Sequence, residues 1–128
     1  MNLQRPQSLA EVARRTADGE SFEFELSDFL HEFASRGTAA MLTEPPCELR
    51  AKYGMGDIQD AYLAAVAVYL AGRIGCAAPS WTHQPERTLP RPWFASPGRH
   101  MRAVLLVESP AAFRERNLFV SSNALSVA

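Results

Sequence analysis

Apolar positions first recur at helical spacing after Ser8, where Leu9, Val12 and Ala13 precede a stop at Asp18-Gly19. Ser8-Leu9-Ala10-Glu11 has the form of a capping box, with Ser8 at the N-cap and Glu11 at the third helical position. Ser21 is the next N-cap. After it Phe22, Leu26, Phe29, Leu30 and Phe33 share one helical face, while Glu23, Glu25, Asp28 and Glu32 occupy the polar side. Acids near a helix N-terminus suit its dipole. Arg36-Gly37 ends this second helix, and Thr38 caps one short turn through Met41 and Leu42.

Glu44-Pro45-Pro46 is a break, because each proline removes a donor and biases its predecessor to extended geometry. Cys47 to Gly56 reads as a connecting loop. Asp57 then caps a helix running through Ile74. Its Ile58, Ala61, Tyr62, Ala65, Val66, Tyr69 and Leu70 form a stripe that Ala64, Ala67, Val68 and Ala71 widen nearly all round. A helix apolar on most faces is central, covered by others on several sides. Gly75 is its expected left-handed C′ residue.

The pattern changes between Ala77 and Gly98, where five prolines exclude a long helix and Trp81, Trp93 and Phe94 argue against a loose linker. This segment is expected to wrap over the helices, held by its aromatics in place of a backbone ladder. Met101, Val104, Leu105 and Val107 fit either a helix or a buried strand over Arg99 to Glu108. Ser109-Pro110 is an N-cap and N1 pair for a helix ending at Asn117, and Leu118-Phe119-Val120 is extended. Ser122 caps a final turn holding Leu125. The fold expected is one all-α domain over residues 1–128, with five or six helices around the central one.

Composition agrees with a single folded domain: 128 residues, 47% hydrophobic and 21% charged, enough for a core without staples. The longest apolar run, Ala61 to Ala71, falls short of the roughly 20 residues that span a bilayer. No basic start followed by an apolar block opens the chain, so a cytoplasmic location is expected. Cys47 and Cys76 define neither a disulfide framework nor a zinc site, and Cys76 reads as a small buried apolar residue. Net charge is −1, yet residues 1–60 carry 11 acids against 6 bases and residues 61–128 carry 3 against 7.

Pro79-Ser80-Trp81-Thr82, Arg91-Pro92-Trp93-Phe94, Val107 to Arg114, Phe119-Val120 and Asp60 to Ala67 form a distinctive set. Together they resemble a small uncharacterised actinobacterial family, over about residues 20–128 of this chain. In that family the block occurs alone or after a helix-turn-helix repressor domain, often encoded beside a nucleotidyltransferase-like protein as in toxin–antitoxin pairs. The resemblance implies a partner-binding protein whose partner is nucleotidyltransferase-like. It supplies no catalytic residue, and this chain lacks the full repressor domain.

Two charged sets are candidate partner-binding residues: Glu23, Glu25, Asp28 and Glu32 in the acidic half, and Arg87, Arg91, Arg114 and Arg116 in the basic half. The acids, with Glu20, spread around a helix and do not converge as hard-metal oxygens must. The arginines, with Arg99 and Arg102 and the nearby aromatics, have the makings of a nucleic-acid track. They equally suit carbonyls of the proline-rich segment or the chain's own acids. Leu9 to Arg15 looks like the opening helix of a helix-turn-helix, but the next helix is long, acidic and Phe-rich. His31, His83 and His100 have no metal-ligand spacing, and no phosphate loop, G-x-S-x-G or H-E-x-x-H occurs. No metal or cofactor is expected. Three function classes follow: a non-catalytic protein-interaction module of a two-protein operon, a nucleic-acid-binding regulator, and a small hydrolase without a recognisable motif.

Overall fold

The serine caps of the first two helices, Ser8 and Ser21, form as the sequence suggests. In the computed structural model, which describes residues 4–51, 54–96 and 98–125, Ser8 Oγ accepts the Glu11 N–H at 3.1 Å and opens α1 (Leu9–Ala17). Glu11 returns the bond one residue further back than a capping box prescribes, accepting from Gln7 N–H at 2.8 Å. Ser21 Oγ accepts the Phe24 N–H at the head of α2 (Phe22–Arg36). Buried Arg15 ties the two helices, donating to Glu11 at 2.7 Å, to Glu25 at 3.0 Å and to the Gln4 carbonyl at 2.8 Å. The short turn α3 (Ala40–Thr43) has no side-chain cap, so the expected role of Thr38 is not realised.

The central helix is α4 (Gly56–Ile74), in which Ala61 and Leu63 to Ala67 are inaccessible to solvent. Asp57 is not its cap: it lies inside the first turn, and Met55 stands at the N-cap without a side-chain bond. The reason is Gly56, where a Cβ would lie 2.0 Å from the Leu49 carbonyl oxygen. Its bare backbone lets the chain enter the helix against the preceding loop, one residue before Asp57. Gly75 closes the helix in the left-handed region at φ 75°.

The segment after α4 makes 3-10 turns at Ser80–His83 and Pro85–Arg87 and then a two-residue strand, β1 (Trp93–Phe94). Arg99–Glu108 is a helix, α5, followed by the short α6 (Ala111–Arg114) and by β2 (Leu118–Phe119). The two strands pair in parallel, Trp93 opposite Leu118 and Phe94 opposite Phe119. The fold is thus all-α, with six α-helices and this small strand pair as its one β element among the described residues. Backbone bonds Leu89 N–H to Arg116, Trp93 N–H to Asn117 and Ala95 N–H to Phe119 form a ladder. The expectation that aromatics alone hold the proline-rich segment is corrected accordingly: the donors Leu89, Trp93 and Ala95 lie between the prolines and keep their N–H groups.

Two local readings near the C-terminus also change. Ser109 does not cap α6. Its hydroxyl lies 2.7 Å from the Leu105 carbonyl and accepts the Val120 N–H at 2.8 Å, fastening the end of α5 to the strand that follows α6. α6 ends at Arg114, and Asn117 then turns the chain at φ 62°, a conformation that asparagine tolerates, donating its side-chain N–H to the Leu89 carbonyl at 2.6 Å. The described part of the expected last turn ends at Leu125.

Candidate functional site

The first site that the residues build is internal. Asp60 lies in α4 with Ala64, Ala67 and Ala71 along one face, and its side chain is wholly buried. Its carboxylate accepts the backbone N–H groups of Leu49 at 2.8 Å and Arg50 at 3.3 Å. Arg87 approaches it to 3.9 Å and donates to the carbonyls of Asp60 at 3.2 Å and Pro46 at 2.8 Å. The same guanidinium lies 4.9 Å from the centre of the Trp81 ring, and Trp81 Nε1–H donates to the Leu42 carbonyl at 2.9 Å. Burial holds the Asp60 carboxyl above its ordinary range despite the Leu49 N–H and the Arg87 charge, and it lowers Arg87. A buried pair of this kind positions chain segments more than it stabilises them. It fastens the loop before α4 and the 3-10 turns after it onto α4.

This arrangement decides three of the candidate partner-binding residues. Arg87 and Arg116 are buried, as is Glu25. Arg116 donates to the carbonyls of Ala112 at 3.0 Å and Thr82 at 2.9 Å, while Glu25 is taken by Arg15. Their polar ends are turned to backbone carbonyls and charges inside the chain, so they are not surface recognition groups. Of the rest, Glu23, Arg91 and Arg114 are exposed and Asp28 is half-buried. Glu32 is half-buried and sits 3.5 Å from Arg36. The structure therefore does not gather either charged set into one site.

What the periodicity reading missed lies on the outside. Only Leu105 of α5 is buried, and the outward face carries Leu106 at 49% and Val107 at 81% exposure with Arg99, Arg102 and Ala103 beside them. Arg102 also covers the Phe94 ring, itself stacked on Phe119, which attaches α5 to the strand pair. Phe24 protrudes from the acidic side of α2 at 65% exposure. Its position off the Phe22–Leu26–Phe29 face was the available signal.

A cleft of about 310 Å³ opens between the first halves of α2 and α4. Phe22, Leu26 and Leu30 form one wall, Ile58, Gln59 and Tyr62 the other, and Trp93 and Ala95 of the β1 region cover one end. Phe22 and Tyr62 meet edge to face at 6.1 Å, and Tyr62 meets Phe113 at 5.0 Å. Burial, joined by the charge of Glu23, raises the Tyr62 hydroxyl above its ordinary value.

No protein-family model, curated protein or solved structure matches the chain. Among the described residues no cluster of three or more His, Cys, Asp or Glu side chains is arranged to hold a metal, and no helix is long and apolar enough to cross a membrane.

Proposed function

We propose that the protein is a non-catalytic interaction module, the regulatory or antitoxin-like member of a two-protein operon, acting in the cytoplasm. One observation carries the reading: α5 is held by few contacts and turns Leu106 and Val107 to solvent beside Arg99. Contiguous exposed apolar residues rimmed by charge mark interaction sites on soluble proteins. An apolar helical face flanked by arginines fits an acidic-rimmed groove, entered as helices enter grooves elsewhere. The resemblance to the actinobacterial family supports a nucleotidyltransferase-like protein as the owner of that groove.

The test is co-expression with the protein encoded next to it. Leu106→Ser with Val107→Ser should leave the melting temperature within about 2 °C, since exposed substitutions seldom exceed ~0.5 kcal/mol. The same variant should release the partner, and Arg99→Glu should weaken binding most at low salt. A complex unaffected by all three changes refutes this surface. The nucleic-acid alternative loses Arg87 and Arg116 to the interior; steeply salt-dependent duplex binding through Arg91 and Arg114 is the result that would restore it.

A further inference from the structure

We propose that the cleft between α2 and α4 binds a small, flat aromatic amine. The proposal does not depend on the α5 surface, because no α5 residue lines the cleft. Its volume lies at the lower end of the roughly 300–1,000 Å³ usual for ligand pockets, which suits one or two fused rings. Phe22, Tyr62 and Trp93 supply aromatic walls, and such walls attract both flat rings and cations.

The polar groups set the sign of the ligand. Glu23 is the one charged group among the described lining residues, and it acts on the Tyr62 hydroxyl across the cleft. Gln59 also belongs to the wall, and its Oε1 is buried without a hydrogen-bond partner among the described residues. Such an acceptor is costly to leave unpaired, and a turn about the broad terminal torsion of the side chain brings it toward a ligand. A carboxylate and an unpaired carboxamide oxygen both ask for a donor, and the carboxylate favours a positive one. An ammonium on a short arm from a flat ring meets both demands.

The walls are also preformed. The Ser21 cap fixes the first turn of α2, the close approach of Gly56 to Leu49 fixes the start of α4, and the pairing with Leu118 fixes Trp93. A ligand therefore meets a site that needs little ordering.

Tryptamine, indole and indole-3-acetate share one ring and differ in charge, so titrating each into the full chain isolates the charge preference. Isothermal calorimetry gives affinity, and amide and indole N–H shifts locate the site. Tryptamine should bind saturably, about tenfold tighter than indole-3-acetate, with indole between them. The Trp93 indole N–H should move and that of Trp81 should not. Glu23→Gln, at an exposed position, should erase the preference for tryptamine over indole without changing the melting temperature. Ala95→Trp, which fills the cleft from its exposed rim, should abolish binding of all three. The proposal is overturned if none saturates by roughly 10 mM, if the acetate binds as tightly as the amine, or if Ala95→Trp leaves binding intact.

Discussion

Replacing Arg87 by Met removes a charge and tests what the interior network is for. The single change strips the Arg87 donors from the Pro46 and Asp60 carbonyls, takes the cation from the Trp81 face and leaves Arg50, 3.4 Å away, as the one cation at Asp60 among the described residues. Breaking one side of a buried pair costs about 3–5 kcal/mol, a large share of the ~5–15 kcal/mol that holds a domain folded. For a chain of this length the melting temperature should fall by about 10–20 °C. The informative variant is the double one, Asp60→Leu with Arg87→Met. Were the two residues only an ion pair, an apolar replacement of similar volume would restore or exceed parental stability. Here the side chains also satisfy the Leu49 and Arg50 N–H groups and the Pro46 carbonyl, and apolar substitutes satisfy none of them. At about 1–3 kcal/mol for each buried unpaired group, the double variant should stay at least ~3 kcal/mol below the parent. Urea melts of the parent, both single variants and the double variant measure this directly. A double variant as stable as the parent would refute the assignment of Asp60 and Arg87 as backbone anchors.

Trp81→Ala should cost about 3–5 kcal/mol, the range for a buried large aromatic, whereas half-buried Trp93→Ala should cost clearly less; denaturant midpoints of the two variants compare them. Gly56→Ala should destabilise by about 1–3 kcal/mol, as overpacking does, because its Cβ meets the Leu49 carbonyl; a thermal melt checks it. Burial raises the Glu11 carboxyl, but the Gln7 N–H and the Arg15 guanidinium outweigh it and hold it below its ordinary 4.5. The stability Glu11 contributes is present above that unfolded value and is lost as pH falls through the lower folded one. Glu11→Gln should therefore flatten the decline of stability below about pH 4.5, measured as urea midpoint against pH.

Helices α1 and α2 were legible because caps, stops and apolar spacing agree within each element, and α4 through its apolar spacing and the Gly75 stop, although Asp57 is not its cap. Asp60 was legible only in part: it falls on the Ala64, Ala67 and Ala71 face, yet nothing local says which cation or amides will meet it. Its partners come from loops on both sides of the helix. Leu118-Phe119 was legible as extended, but its pairing with Trp93-Phe94 escaped for a related reason, since two residues carry no measurable alternation and their partnership is a matter of tertiary placement. Over Arg99 to Glu108 the apolar residues point both ways. Leu105 serves the core and Val107 faces water, so no single period emerges. The charged candidates show the limit of reading charge by type. Glu23 and Glu25 are two residues apart, and helix geometry turns one outward and the other into Arg15.

The reach of Arg87 has a consequence for how the chain is made. Arg15 meets Glu25 ten residues later, so the first two helices can associate early, when little loop entropy must be spent. Arg87 meets the Asp60 carbonyl across 27 residues and that of Pro46 across 41. A chain growing from its N-terminus therefore completes its most apolar helix, with Arg50 already beside Asp60, before Arg87 exists. Until the second half emerges, the Pro46 carbonyl lacks the Arg87 donor that pins its loop to the helix. The core closes only when the residues that finish it have left the ribosome.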